Sequence, residues 1–126
     1  MPKLLLVEDD PNQCLLYAEE LRRDGYEVMT ARDGREALEA LGRARPDLVV
    51  MDVSMPGMDG IEAMSRMLAQ DHKLPIILNT AYATYKENFR AWSADAYVVK
   101  SSDLTELKAT IKRVLASRQT PDKATG

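Results

Sequence analysis

Apolar residues fall along this chain in two rhythms that take turns. Short unbroken runs occur at Leu4–Val7, Tyr26–Thr30, Leu48–Met51, Leu74–Thr80 and Ala96–Lys100. Runs of this length, flanked by turn residues, predict strands covered on both faces, as in a parallel sheet. The run at 26–30 alternates in part, which predicts an edge strand. Between the runs, apolar residues recur at helical spacing. Cys14, Ala18 and Leu21, broadened by Leu15, predict a first helix. Ala37, Leu38 and Leu41 predict a second, and Ile61, Met64 and Leu68 a third. Tyr85, Phe89 and Trp92 mark a fourth stripe, and Leu104, Leu107, Ile111 and Val114 a fifth.

Start and stop signals agree with these spans. Asp10 before Pro11 reads as an N-cap with proline at the first helical position. Asp33 with Glu36, Thr84 with Glu87 and Asp103 with Glu106 read as capping boxes, and Gly25 as a helix stop. Five strands alternating with five helices predict an α/β sandwich around a parallel sheet, with right-handed crossovers placing helices on both faces. From Ser117 the pattern is lost. A folded domain over 1–116 and a polar disordered tail or linker over 117–126 are expected.

Composition narrows the class. The chain has 126 residues, enough for one domain with a real core. No apolar run reaches membrane-spanning length, and the first residues do not form a secretory signal. A single cysteine, Cys14, excludes an internal disulfide and fits a reducing cytoplasm. A net charge of −3 argues against nucleic-acid binding by this domain alone.

The chemistry lies just after the runs. Glu8 and Asp9 follow the first strand, Asp52 the third, Thr80 closes the fourth and Lys100 the fifth. Ligands of parallel sheets sit beyond these carboxyl ends. Carboxylates converging there need a compensating metal ion, lysine or hydrogen-bond donors. All-oxygen donors suit a hard ion such as Mg²⁺, which takes its remaining contacts from water and phosphate. With Lys100 as a point charge and Thr80 as a hydroxyl, the rim suits phosphoryl transfer onto a carboxylate. Asp52, alone on the central strand, is the best nucleophile.

Four segments carry a resemblance: Leu6-Val7-Glu8-Asp9-Asp10, Val50 to Gly60, Asn79-Thr80-Ala81 and Tyr97-Val98-Val99-Lys100. In this order and spacing the chain resembles a response-regulator receiver domain of two-component signalling, from Lys3 to about Leu115. The resemblance implies a flavodoxin-like (βα)5 fold with strand order 2-1-3-4-5. It implies Asp52 as phosphoacceptor and as a Mg²⁺ ligand, Asp9 as direct Mg²⁺ ligand, Glu8 as water-mediated ligand and the Ser54 backbone carbonyl as a further ligand. Thr80 corresponds to the switch hydroxyl, Lys100 to the phosphoryl-pairing cation and Tyr97 to the aromatic switch. The implied partners are a sensor histidine kinase or histidine phosphotransfer protein, and an output protein or fused effector domain. Output is expected through the fourth helix, fifth strand and fifth helix, with a homodimer formed on phosphorylation also in keeping.

Two positions depart from the family. Ser101 stands where proline usually follows the lysine, so a trans Lys100–Ser101 bond is expected. Ser93 stands where many relatives end the fourth helix with glycine. Ser54 and Tyr82 are expected to tune phosphoryl lifetime. A phosphorylation-independent interaction module is the main alternative, and the presence of every key side chain counts against it. An aspartate-nucleophile hydrolase would need an acid where Ser54 stands. A flavin carrier would not place acids where its phosphate loop belongs.

Overall fold

The computed structural model describes residues 1–52, 60–81 and 94–119. Five parallel strands form one sheet: β1 (Lys3–Val7), β2 (Glu27–Ala31), β3 (Leu48–Met51), β4 (Ile76–Thr80) and β5 (Ala96–Val99). Their order is β2-β1-β3-β4-β5, as expected, with the partly alternating β2 at an edge. Four helices are described: α1 (Pro11–Arg23), α2 (Gly34–Arg43), α3 (Gly60–Gln70) and α4 (Thr105–Gln119). The helix expected over Thr84–Trp92 lies outside the described residues, so α4 is the fifth helix of the sequence reading.

Alternation along the strands sorts the core into two layers. Leu4, Leu6, Leu48, Val50, Ile77, Ala96 and Val98 pack with α1 and α4 on one face. Leu5, Val7, Val49, Met51, Ile76 and Leu78 pack with α2 and α3 on the other. Both layers are needed because β1, β3 and β4 bury nearly all of their residues, as the unbroken apolar runs required.

The local signals act as expected at most ends. Asp10 accepts from Asn12 N–H and Gln13 N–H ahead of Pro11. Asp33 Oδ1 accepts from Glu36 N–H at 2.9 Å, and Glu36 returns to Arg32 N–H, one residue before the cap. Gly25, at φ 97°, takes the left-handed turn that leads α1 into β2.

Two expectations are corrected. Leu15 does not broaden the inward stripe of α1: it is 59% exposed, and Leu16 48%. Tyr17 takes the inward position instead, because with Ala18 and Leu21 it keeps the three-and-four spacing that residue 15 breaks. The final helix starts one turn position later than the Asp103–Glu106 box implied. Asp103 Oδ1 accepts from Thr105 N–H, while Asp103's own N–H donates to Ser101 Oγ at 3.1 Å. The serine in place of proline thus supplies the acceptor that organises this loop. The Lys100–Ser101 bond is trans, since no described peptide bond is cis. Helix α4 continues to Gln119.

Candidate functional site

The carboxyl edge of the sheet gathers the acids. Beyond the last paired residues the ladder extends by one step: Glu8 N–H donates to Ala31 O, and Asp52 N–H to Val7 O. This fixes the backbone directly beneath both carboxylates. With Val7 opposite Met51, Glu8 falls next to Asp52. By alternation both share the face of Leu6 and Val50. Glu8, Asp9 and Asp52 each present a carboxylate oxygen within 4.8 Å of the others. Glu8 and Asp52 are buried, and Asp9 is the most accessible of the three.

Lys100 reaches into this cluster from the end of β5, where its N–H is anchored on Thr80 O at 2.8 Å. Its Nζ lies 2.7 Å from Glu8 Oε1 and 2.9 Å from Asp52 Oδ2. Glu8 Oε2 also accepts from Asp10 N–H. Burial and the neighbouring Asp52 charge push the Glu8 carboxyl above its ordinary range, outweighing the opposing pull of Lys100 and the Asp10 N–H. Burial alone would lower the Lys100 ammonium. Its hydrogen bonds to Asp52 and Glu8 raise it instead, so it stays charged. Among the described residues three carboxylates face one ammonium, an excess of two negative charges that one divalent cation would balance. The donor set is all oxygen, so the residues fit Mg²⁺.

Thr80 is fully buried at the same rim, alternating to the α2–α3 face. Tyr97 is half-buried on that face, packed against its cluster and opposite Leu78 in register. Ser54 lies outside the described residues, as do Tyr82 and Ser93. Of the other expected site residues, Glu8, Asp9, Asp52 and Lys100 meet at one rim, Thr80 closes β4 at the same edge on the opposite face, and Tyr97 lies further back along β5.

The structure adds two residues that the sequence reading passed over. Asn79, 4% exposed, precedes Thr80, and Tyr17, also 4% exposed, packs from α1 into the layer of Leu6, Val50 and Ile77. An asparagine inside an otherwise apolar strand was the available signal.

Comparison with known proteins shows the family. The response regulator receiver domain family matches residues 4–112. The chain belongs to that family: it is a receiver domain of two-component phosphorelay signalling. The chain is 33% identical over 115 residues to sporulation initiation phosphotransferase F of Bacillus subtilis, covering 90% of this chain and 93% of that protein. It is 38% identical to the regulatory protein AtoC of Escherichia coli, over 90% of this chain but 25% of AtoC. The chain thus spans between a quarter and about half of the first curated relatives it matches. Among solved structures, response regulator protein TrrA of Thermotoga maritima in complex with Mg(2+)-BeF superposes with a TM-score of 0.85 at 41% identity, covering 90% of this chain and 99% of that one. TrrA in complex with histidine kinase ThkA gives a TM-score of 0.84 at 42% identity, over 91% and 99% of the two chains. Among the described residues, no helix is long and apolar enough to cross a membrane.

Proposed function

We propose that Asp52 is the phosphoacceptor of this receiver and that the phosphoryl group comes from a phosphohistidine. The observation that carries this reading is the half-buried Lys100 ammonium shared between the buried Asp52 and Glu8, beside a third carboxylate. An Asp52 oxygen forms the bond to phosphorus as the P–N bond breaks, and the leaving imidazole nitrogen keeps the electron pair. Lys100 holds the Asp52 carboxylate in place before transfer and pairs with a phosphoryl oxygen after it. Glu8, Asp9 and Asp52, with the Ser54 carbonyl, would hold Mg²⁺, which supplies charge neutralisation for the transferring oxygens. Thr80 turns its hydroxyl towards the new phosphoryl group, and Tyr97 follows into the space on the same face. Added charge at Asp52 thereby biases a two-state surface that includes β5 and α4.

The domain catalyses only its own phosphorylation and dephosphorylation, in the cytoplasm. A sensor kinase or phosphotransfer protein donates, and an output protein or fused effector receives the signal, with a phosphorylation-dependent homodimer as one form of output. The relative TrrA, solved both with Mg(2+)-BeF and with a histidine kinase, supports the ion and the donor class. The test is intact-mass measurement after incubation with Mg²⁺ and acetyl phosphate. One phosphoryl group is expected on the wild type and none on Asp52→Asn. Labelling that persists in Asp52→Asn, or that needs no divalent ion, sinks the assignment.

A further inference from the structure

Lys100 Nζ serves two carboxylate oxygens at once, so the backbone that carries it has to be held in place. Strand β5 holds it from one side. At the amino end of β5, Asp95 N–H donates to Ile76 O at 2.8 Å, and Asp95 Oδ2 accepts from Ile76 N–H at 2.9 Å. At the carboxyl end, Lys100 N–H donates to Thr80 O at 2.8 Å. With both ends of the β4–β5 ladder tied, β5 cannot slide, and Lys100 inherits its register.

On the other side of Lys100 the chain leaves the sheet. Ser101, Ser102 and Asp103 are exposed, and the next anchored residue is Leu104, buried in the layer shared by α1 and α4. Lys100, Ser101 and Ser102 border, with Leu16, a cleft of about 380 Å³. Packing does not brace the turn on that side, so its own hydrogen bonds set its shape. Asp103 N–H donates to Ser101 Oγ at 3.1 Å, which restrains the backbone torsions between the two residues. Asp103 Oδ1 in turn accepts from Thr105 N–H at 3.0 Å and from Thr105 Oγ1 at 2.6 Å. Ser101 thus closes a chain of hydrogen bonds that runs from the residue after the lysine to the first turn of α4.

We propose that Ser101 is a positioning residue for Lys100: its hydroxyl, by accepting the Asp103 N–H, holds the turn that keeps the lysine spanning Glu8 and Asp52. A reacting group misplaced by about 1 Å can lose about a hundredfold in rate. Removing one exposed hydrogen bond loosens the turn rather than displacing it, so a smaller effect is expected here. The consequence for phosphoryl transfer rests on Asp52 being the phosphoacceptor; the consequence for the Lys100 bridge does not.

The experiment is a double-mutant cycle of Ser101→Ala and Lys100→Met in the whole chain, read by urea unfolding without divalent ion. The midpoint loss caused by Lys100→Met is expected to be smaller in the Ser101→Ala background, because a lysine held less well has less to lose. Initial phosphorylation rates at saturating Mg²⁺ and acetyl phosphate are read in parallel. Ser101→Ala is expected to react about threefold more slowly, the rate equivalent of a weak hydrogen bond. Ser101→Thr, which keeps the hydroxyl, should restore both the rate and the full effect of Lys100→Met. Additive midpoint losses overturn the proposal, since the turn then has no hold on the lysine. So does a Ser101→Ala rate equal to wild type, or Ser101→Thr as slow as Ser101→Ala. Absence of any phosphoryl uptake by the wild type removes the acceptor assignment instead, and the urea cycle alone then decides the role of Ser101.

Discussion

Lys100 offers the sharpest perturbation because it is the described cation that both Glu8 and Asp52 share. In Lys100→Met the aliphatic stem is retained and the ammonium removed. Glu8 and Asp52, 2% and 6% exposed, are then left as buried carboxylates with oxygens no more than 4.8 Å apart. At that separation and an effective dielectric of about 20, their repulsion is about 3.5 kcal/mol. Breaking a buried ion pair by removing one partner costs about 3–5 kcal/mol in other proteins, a range that includes this value. Without divalent ion at neutral pH, the variant is therefore expected to lose about 3 kcal/mol of unfolding free energy. Saturating Mg²⁺ should recover most of that loss, because the ion supplies the positive charge that the lysine no longer does. Acid should narrow the gap as well. The Glu8 carboxyl already titrates above its ordinary range in the folded chain, and losing the lysine moves it higher. The folded variant takes up that proton before the unfolded chain does, so its deficit shrinks as pH falls through the folded-state value. Urea unfolding of both proteins, with and without Mg²⁺ and at two pH values, measures all of this. Equal stabilisation of both proteins by Mg²⁺, or a deficit below about 0.5 kcal/mol in its absence, would refute the charge-balance reasoning.

Other outcomes are expected from named features. Gly25→Ala should cost about 1–2 kcal/mol, because nothing lies within 4 Å of the added methyl but φ is 97°, a backbone conformation strained for alanine; a urea midpoint equal to wild type would contradict this. Against the pull of burial, Arg45 and the Lys73 N–H hold the Asp71 carboxyl below its usual range. Their contribution is therefore present above the unfolded-state value and lost as pH falls through the folded-state one, and it is at most about 1 kcal/mol for so exposed a pair. Arg45→Gln should accordingly be less stable than wild type at pH 6 and indistinguishable from it at pH 2.5, by denaturant titration. Leu15→Ser with Leu16→Ser removes exposed apolar surface beside the Lys100 cleft. Phosphorylation by acetyl phosphate should be unchanged, while transfer from a phosphorylated histidine kinase should slow; equal slowing of both reactions would place the effect inside the domain.

The chain's local chemistry was legible without coordinates wherever one residue and its near neighbours settle the outcome. Unbroken apolar runs in β1, β3 and β4 can be satisfied only by cover on both faces, so a parallel sheet follows from the run itself. Asp10 before Pro11 caps α1 because both the oxygen and the fixed proline φ act within one turn. Strand-end acids and Lys100 could be placed at one rim because every strand of a parallel sheet points its carboxyl end the same way.

Tertiary structure decided whatever depends on which face, which row and which partner. Leu15 and Tyr17 are both plausible inward residues of α1, and only docking onto the sheet chose Tyr17. Asp103 appeared to be a cap, but Ser101 Oγ took its N–H and moved the helix start onward. That Lys100 bridges Glu8 and Asp52 depends on strands 44 or more residues apart meeting in register, as the 48-residue separation of the Lys100–Asp52 bond illustrates. Periodicity fixes the elements because it is written in neighbours along the chain. The charge balance of Glu8, Asp52 and Lys100 arises between strands, and only their alignment in space brings those groups together.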